Sequence, residues 1–188
     1  MTADRKTGNA TAACRIFDNG GSLTVTAGFW IDFRLNVPLN PLESLTRERL
    51  TSRPLRFGRM RVIADFASLQ TAWLVASREL FASSSGSVLL VVFSDHAQGH
   101  VPLWQNIRLW KKSAIDTGEY NPQHDAQFDQ RSFMSPWFGA KSQTLYKAYV
   151  GISVNVEGDV HPPDLYGFGY GSIGGTLSSV RIQQCLLP

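Results

Sequence analysis

The chain has 188 residues, 43% of them hydrophobic and 18% charged, with a formal net charge of +3 and an isoelectric point near 9.0. That length suits one packed domain over 1–188, and the hydrophobic share excludes a disordered chain. Charged residues fall below the globular average of about 25%, so much of the surface is uncharged, and the mild basic balance permits a polyanionic partner without requiring one.

Residues 1–20 read as an N-terminal extension. They show neither the basic, apolar, small-residue order of a signal peptide nor a lysine- and arginine-rich arm. No apolar run approaches the roughly 18 residues of a membrane span, which predicts a soluble cytosolic product with no membrane partner. Ser22 to Val37 follows as a long strand. Leu23, Val25, Ala27, Phe29, Ile31, Phe33 and Leu35 alternate with polar positions, and Gly28 is expected to mark a bulge or bend. Leu42, Leu45 and Leu50 sit at helical spacing before Pro54, and a second helical turn is expected near Arg61 to Ser68.

Thr71 to Leu80 is a moderate strand. Ser83 to Gly86 reads as a turn, and SVLLVVFS over 87–94 as a fully buried strand. Val101 to Trp110 is a further apolar stretch. Lys111 to Ser135 is polar and reads as a surface excursion. In Leu145 to Val156, Tyr146, Ala148, Val150, Ile152 and Val154 form one apolar face. Glu157 to Gly175 reads as a Gly/Pro/Tyr-rich loop before a last strand over 176–187. Six to eight strands without an alternating helix pattern disfavour a parallel sheet. The expected fold is all-β, an antiparallel eight-stranded jelly-roll sandwich with one or two short helices in its connections.

Catalytic chemistry finds little support. His96 and His100 are four apart but follow a strand in a Gly-containing turn, so the spacing loses its helical meaning, and neither Cys14 nor Cys185 lies near a histidine. The two cysteines read as lone thiols, with a bridge between the termini the alternative. GSIGG at 171–175 is one position short of a nucleophile elbow. A glycosidase pair could be drawn from Asp95, Asp116, Glu119, Asp125 and Asp129, although loop carboxylates are usually just solvated. The glycines at 167–175 enter a strand with no following lysine, which is not a phosphate loop. No enzyme activity, cofactor or metal is expected.

Surface features are more informative. Arg47, Arg49, Arg53, Arg56, Arg59 and Arg61 are offset only by Glu48, and arginine forks suit phosphate and carboxylate. They are candidates for non-specific RNA contact or inter-subunit salt bridges. Trp137, Tyr166, Phe168 and Tyr170 are candidate subunit-interface residues. Trp104, Trp110 and the tyrosine-rich loop motivate an alternative, a carbohydrate-binding lectin-like sandwich.

The order of these features resembles the small coat protein of picorna-like plant viruses of the comovirus and fabavirus type, or a related jelly-roll capsid protein of a small icosahedral RNA virus. FMSPWFGAKSQTLYKAYVGISV over 133–154 is similar to that family's approach to its penultimate strand, with Ser135-Pro136-Trp137 as the residue-level match. GSVLLVVFS after TAWLVASREL is similar to its adjacent strand pair. The resemblance implies a structural capsid subunit, made in the host cytoplasm and found in the virion. Its partners would be copies of itself, a larger coat protein and genomic RNA held non-specifically.

Overall fold

A computed structural model describes residues 1–16, 21–36, 57–78, 80–94, 103–115, 120–142, 144–159 and 166–186. Among them are ten strands and no helix: β1 (Thr2–Asp4), β2 (Asn9–Ile16), β3 (Gly21–Arg34), β4 (Phe57–Arg78), β5 (Phe81–Ser94), β6 (Leu103–Ile115), β7 (Tyr120–Met134), β8 (Phe138–Lys141), β9 (Leu145–Gly158) and β10 (Tyr166–Leu186). They form two antiparallel sheets. The first has the order β1-β2-β10-β4-β7, with β8 paired to β4, and the second β3-β9-β5-β6. The sheets pack face to face as a β-sandwich.

Period-two alternation builds the core. Ala10, Ala12, Cys14 and Ile16 of β2 are buried while their neighbours are exposed. On β9, Tyr146, Ala148, Val150, Ile152, Val154 and Val156 point inward, opposite Met60, Val62, Ala64 and Phe66 of β4. Successive strand residues face opposite sides of a sheet, so each apolar row commits one face to the interior. Beneath β8, Phe33 stacks on Tyr146 at 5.7 Å between ring centroids, and Phe138 meets both rings. The Tyr146 hydroxyl accepts the Lys141 backbone N–H at 2.8 Å.

Several expectations are corrected. Arg61 to Ser68 is strand, not a helical turn, because Met60, Val62, Ala64 and Phe66 alternate with the outward Arg59, Arg61 and Asp65. The Leu42–Pro54 helix lies outside the described residues. Ser83 to Gly86 is no turn but part of β5, with Ser83 and Ser84 buried. The polar stretch from Lys111 is largely β6 and β7. Both strands end their sheets, and an edge strand tolerates polar side chains that a central one does not. Within the expected N-terminal extension, Thr2–Asp4 and Asn9–Ile16 are strands of the first sheet, with β2 paired to β10 from Asn9↔Thr176 to Ile16↔Gly169, and residues 17–20 lie outside the described residues. Gly28 causes no bulge: β3 and β9 keep one register throughout.

The largest departure is the glycine-rich segment, which from Tyr166 onward is strand β10 in the middle of the first sheet. Gly167, Gly169 and Gly171 face inward and are buried. A Cβ on Gly169 would stand 2.9 Å from the Ser83 carbonyl oxygen, and one on Gly167 2.9 Å from that of Phe81. On Gly171 it would meet Val154 at 2.5 Å and the Ser84 hydroxyl at 2.8 Å. Glycine inside a strand marks a close backbone approach, and here the backbone approached is β5 of the other sheet.

Gly169→Val therefore overpacks a site with no room to relax. It is expected to lower stability by about 1–3 kcal/mol or more. Gly174→Ala on the outer face, where the nearest atom is the Thr11 hydroxyl at 4.0 Å, should change it by less than about 0.5 kcal/mol. Urea unfolding of the two variants beside the parent checks both.

Candidate functional site

The first half of β4 presents Phe57, Arg59 and Arg61 on the outer face of the first sheet. The register sets Phe57 against Lys141 and Arg59 against Gly139 of β8, and Arg61 against Gln183 of β10. Between β7 and β8 the chain passes through Ser135-Pro136-Trp137. Proline has no N–H for a ladder, and Ser135 makes up the difference. Its backbone N–H donates to the Val62 carbonyl at 2.9 Å. Its hydroxyl accepts the Val62 N–H at 3.0 Å and donates to the Pro136 carbonyl at 2.9 Å. The sheet edge continues past the proline and Trp137 is turned outward, 41% exposed.

Each exposed aromatic here is paired with a cation. The Arg61 guanidinium lies 4.9 Å over the Trp137 ring, while its Nε donates to Gln183 Oε1 at 2.7 Å. Lys141 Nζ lies 5.9 Å over the ring of Phe57, itself 52% exposed. Such contacts hold both partners in place while leaving the charge in solvent. Gly139 is exposed with nothing near its Cβ direction. It leaves a dip between Trp137 and Lys141, directly opposite Arg59. The result is a shallow cationic trough on a rigid floor, since the Phe33–Tyr146–Phe138 rings lie beneath β8.

The carboxylate nearest this face on β4 is already engaged. Asp65 accepts from Ser132 Oγ and Ser179 Oγ at 2.6 Å each, and from Arg181 Nε and Nη2 at 2.8 and 3.0 Å. The Arg181 bonds first, then the two serines, hold its carboxyl far below the ordinary aspartate range. The Ser178 hydroxyl donates to the Asp65 backbone carbonyl at 2.8 Å. This network sits where the β4–β10 register shifts between Leu177 and Ser179. Asp65 thus clamps a β-bulge that bends the longest strand pair.

The structure brings Arg59, Arg61 and Trp137 together. Arg47, Arg49, Arg53 and Arg56 lie outside the described residues. Phe168 and Tyr170 are half-buried on the outer face of β10, beside Ala76 and Leu74 of β4. They are separated from the trough by about 45 Å of strand. Tyr166 opens β10, but its side chain is outside the described residues, as is that of Trp104. Trp110 is core: its Nε1 donates to Ser84 Oγ at 3.2 Å and its ring covers Gly86. It cannot serve as a stacking platform. Phe57, Gly139 and Lys141 were missed by sequence reasoning; the alternation in FGRMR was the available signal for Phe57.

Cys14 and Cys185 are free thiols, one buried and one exposed. Cys14 pairs with Gly171 of β10, about 45 Å of strand from Cys185. Burial pushes the Cys14 thiol up. His96, His100 and His161, with Asp95, Asp116 and Glu119, lie outside the described residues. Among those described, no three His, Cys, Asp or Glu side chains converge on a point, and no helix is long and apolar enough to cross a membrane.

A second surface lies on the outer face of the other sheet. Tyr149 lies over the Gly28–Gly151 pair, where neither residue has a side chain to displace it. Trp30 packs on Tyr149 at 5.1 Å and on Phe93 at 5.5 Å between centroids, yet remains 52% exposed. With Leu89, Val91, Thr24, Thr26, Asn106 and Ser153 these rings line an open groove of about 390 Å³. No lining side chain is charged.

No protein-family model matches this chain, and neither a curated protein nor a solved structure matches it.

The Asp65 clamp has a defined pH signature. A depressed folded-state pKa contributes stability above the unfolded value, near 3.9 for aspartate, and that contribution is lost as pH falls. Asp65→Asn should cost about 1 kcal/mol at pH 7, a figure that discounts for partial exposure. The gap to the parent should be full above about pH 5 and shrink progressively below about pH 4. Unfolding titrations of both proteins at several pH values read it directly.

Proposed function

We propose that this chain is a jelly-roll coat protein subunit that tiles an icosahedral shell around RNA. One observation carries the reading: the pairing of the eight long strands is nested. Leaving out the short β1 and β8, the first strand pairs with the last (β2–β10), the second with the seventh (β3–β9), the third with the sixth (β4–β7) and the fourth with the fifth (β5–β6). Such an order arises when one long antiparallel hairpin ribbon rolls up on itself. Rolling adds the contacts β10–β4 and β9–β5 and divides the ribbon into two four-stranded sheets. Nested pairing of this kind supports a jelly-roll reading, an architecture that capsid proteins, lectins and cupins use.

A fold alone does not assign a function. The surface favours the coat reading over its fellow classes. Large apolar side chains are exposed on both outer faces: Phe57, Met134 and Trp137 on one, and Trp30 on the other. Paired apolar surfaces on opposite sides suit a subunit that meets neighbours on several sides. The subunit partners are copies of this chain, and in the comovirus-type arrangement a larger coat protein.

Electron microscopy and analytical ultracentrifugation of the expressed chain, alone and mixed with a candidate larger coat protein, test this. Rings, pentamers or closed particles are expected, with Trp30→Ala weakening assembly. A chain that stays monomeric in every mixture overturns the reading.

The groove beside Trp30 favours a second reading, a carbohydrate-binding sandwich. The exposed Trp30 ring, with the half-buried Tyr149 and Phe93 beside the neutral Thr24, Thr26, Asn106 and Ser153, suits a sugar's apolar face and hydroxyls. A broad glycan array should then show binding that Trp30→Ala abolishes; silence across the array removes this reading.

A further inference from the structure

We infer that the trough between β4 and β8 binds single-stranded RNA, with bases stacked at its two aromatic corners and the backbone laid over Gly139 beside Arg59. The inference rests on the reading of the chain as a shell subunit around RNA and assigns the contact to particular residues. The trough is a small array. Phe57, Arg59 and Arg61 are spaced two residues apart along the outer face of β4, and Lys141, Gly139 and Trp137 run alongside. Phe57 and Arg61 stand about 14 Å apart along the strand. Each corner combines a ring with a cation, which is the pairing that sequence-tolerant single-strand sites use: rings take the bases and cations take the phosphates.

Charge decides the class of ligand. Arg59, Arg61 and Lys141 project from one small area, and Asp65, the acid on the same outer row of β4, is held by Arg181. That favours a polyanion. The exposed rings then separate RNA from a bare polyanion or an acidic peptide. Trp137 and Phe57 offer π-faces that a base can cover and a carboxylate cannot. The dip at Gly139 matters for the same reason, because it lets a backbone approach the sheet between the two corners.

Gly139 also gives a clean test. Nothing lies within 4 Å of where its Cβ would stand, so Gly139→Val fills the trough without disturbing the fold. Binding of fluorescein-labelled 15-mer oligouridylate to the full chain is measured by anisotropy across a salt series. Gly139→Val should weaken binding at least fivefold with an unchanged unfolding midpoint. Trp137→Ala should weaken it by about 5- to 100-fold. Arg59→Ala should lower the slope of log affinity against log salt by about 0.7, the value of one phosphate contact to a single strand. Polyphosphate and polyglutamate of matched charge should bind more weakly than the oligonucleotide.

The inference is overturned if the oligonucleotide does not bind, if Gly139→Val and Trp137→Ala bind within twofold of the parent, or if either competitor binds as tightly. Microscopy of the same preparations separates the two readings. Particles from a chain that ignores RNA overturn this inference and leave the shell reading standing. RNA binding at the trough by a chain that never assembles supports this inference and overturns the shell reading.

Discussion

The close approach of β10 to β5 is the constraint on which the rest of the sandwich depends. Packed sheets normally stand about 10 Å apart because side chains fill the space between them. At Gly167, Gly169 and Gly171 one layer of those side chains is missing, and the carbonyls of Phe81 and Ser83 stand in its place. Register follows from this. A slip of β10 by one residue would turn Phe168 and Tyr170 inward, where no space for a ring exists. The neighbours inherit the register, since β2 and β4 both pair with β10 along this segment. The bulk that the glycines omit returns at the other end, where Phe33, Phe138 and Tyr146 fill the interior beneath β8. The interior therefore runs from backbone-thin to aromatic-thick, and the thick end supports the trough.

What the sequence made legible was whatever depends on a strand's own alternation. The rows in β3 and β9 could be read directly, and so could the buried run in β5. Three kinds of feature could not. Glycines at 167–171 look like a loop because local propensity carries no trace of the opposite sheet, and only the β5 carbonyls give them meaning. The polar β6 and β7 look like a surface excursion because an edge strand is paired on one side alone. The segment MRVIADF fits a helical spacing and a strand spacing at once, and pairing to both β10 and β7 decides between them. The surface had the same limit. Arg59, Arg61 and Trp137 stood out by residue type, but Lys141 and Gly139 gain their place only from the β4–β8 register.

Ser135-Pro136-Trp137 shows how one short motif serves the edge and the surface together. A proline at a sheet edge normally ends pairing and protects against edge-to-edge association. Here the Ser135 hydroxyl takes the Val62 N–H that the proline interruption would leave unpaired, and β8 resumes on the same side of β4. The interruption spares the ladder and reorients the chain. Trp137 then lies against Arg61, which Gln183 on the next strand fixes from the opposite side. Three strands therefore hold one exposed indole ring. An exposed tryptophan restrained this way loses little further side-chain entropy when a partner covers it, and preorganisation of that kind is what separates a contact surface from an incidental apolar patch.

The two outer faces differ in chemistry in a way that constrains how a shell could use them. The trough face is cationic with aromatics at its corners, and the groove face around Trp30 is aromatic and uncharged among its lining residues. Copies meeting trough to trough would bring Arg59, Arg61 and Lys141 against one another, and that repulsion would have to be offset by a polyanion between them. Copies meeting through the groove, whose lining is uncharged, would meet no such repulsion there. Subunit contacts through the groove side and a polyanion on the trough side follow from the same distribution of charge, and they require neither face to serve both partners.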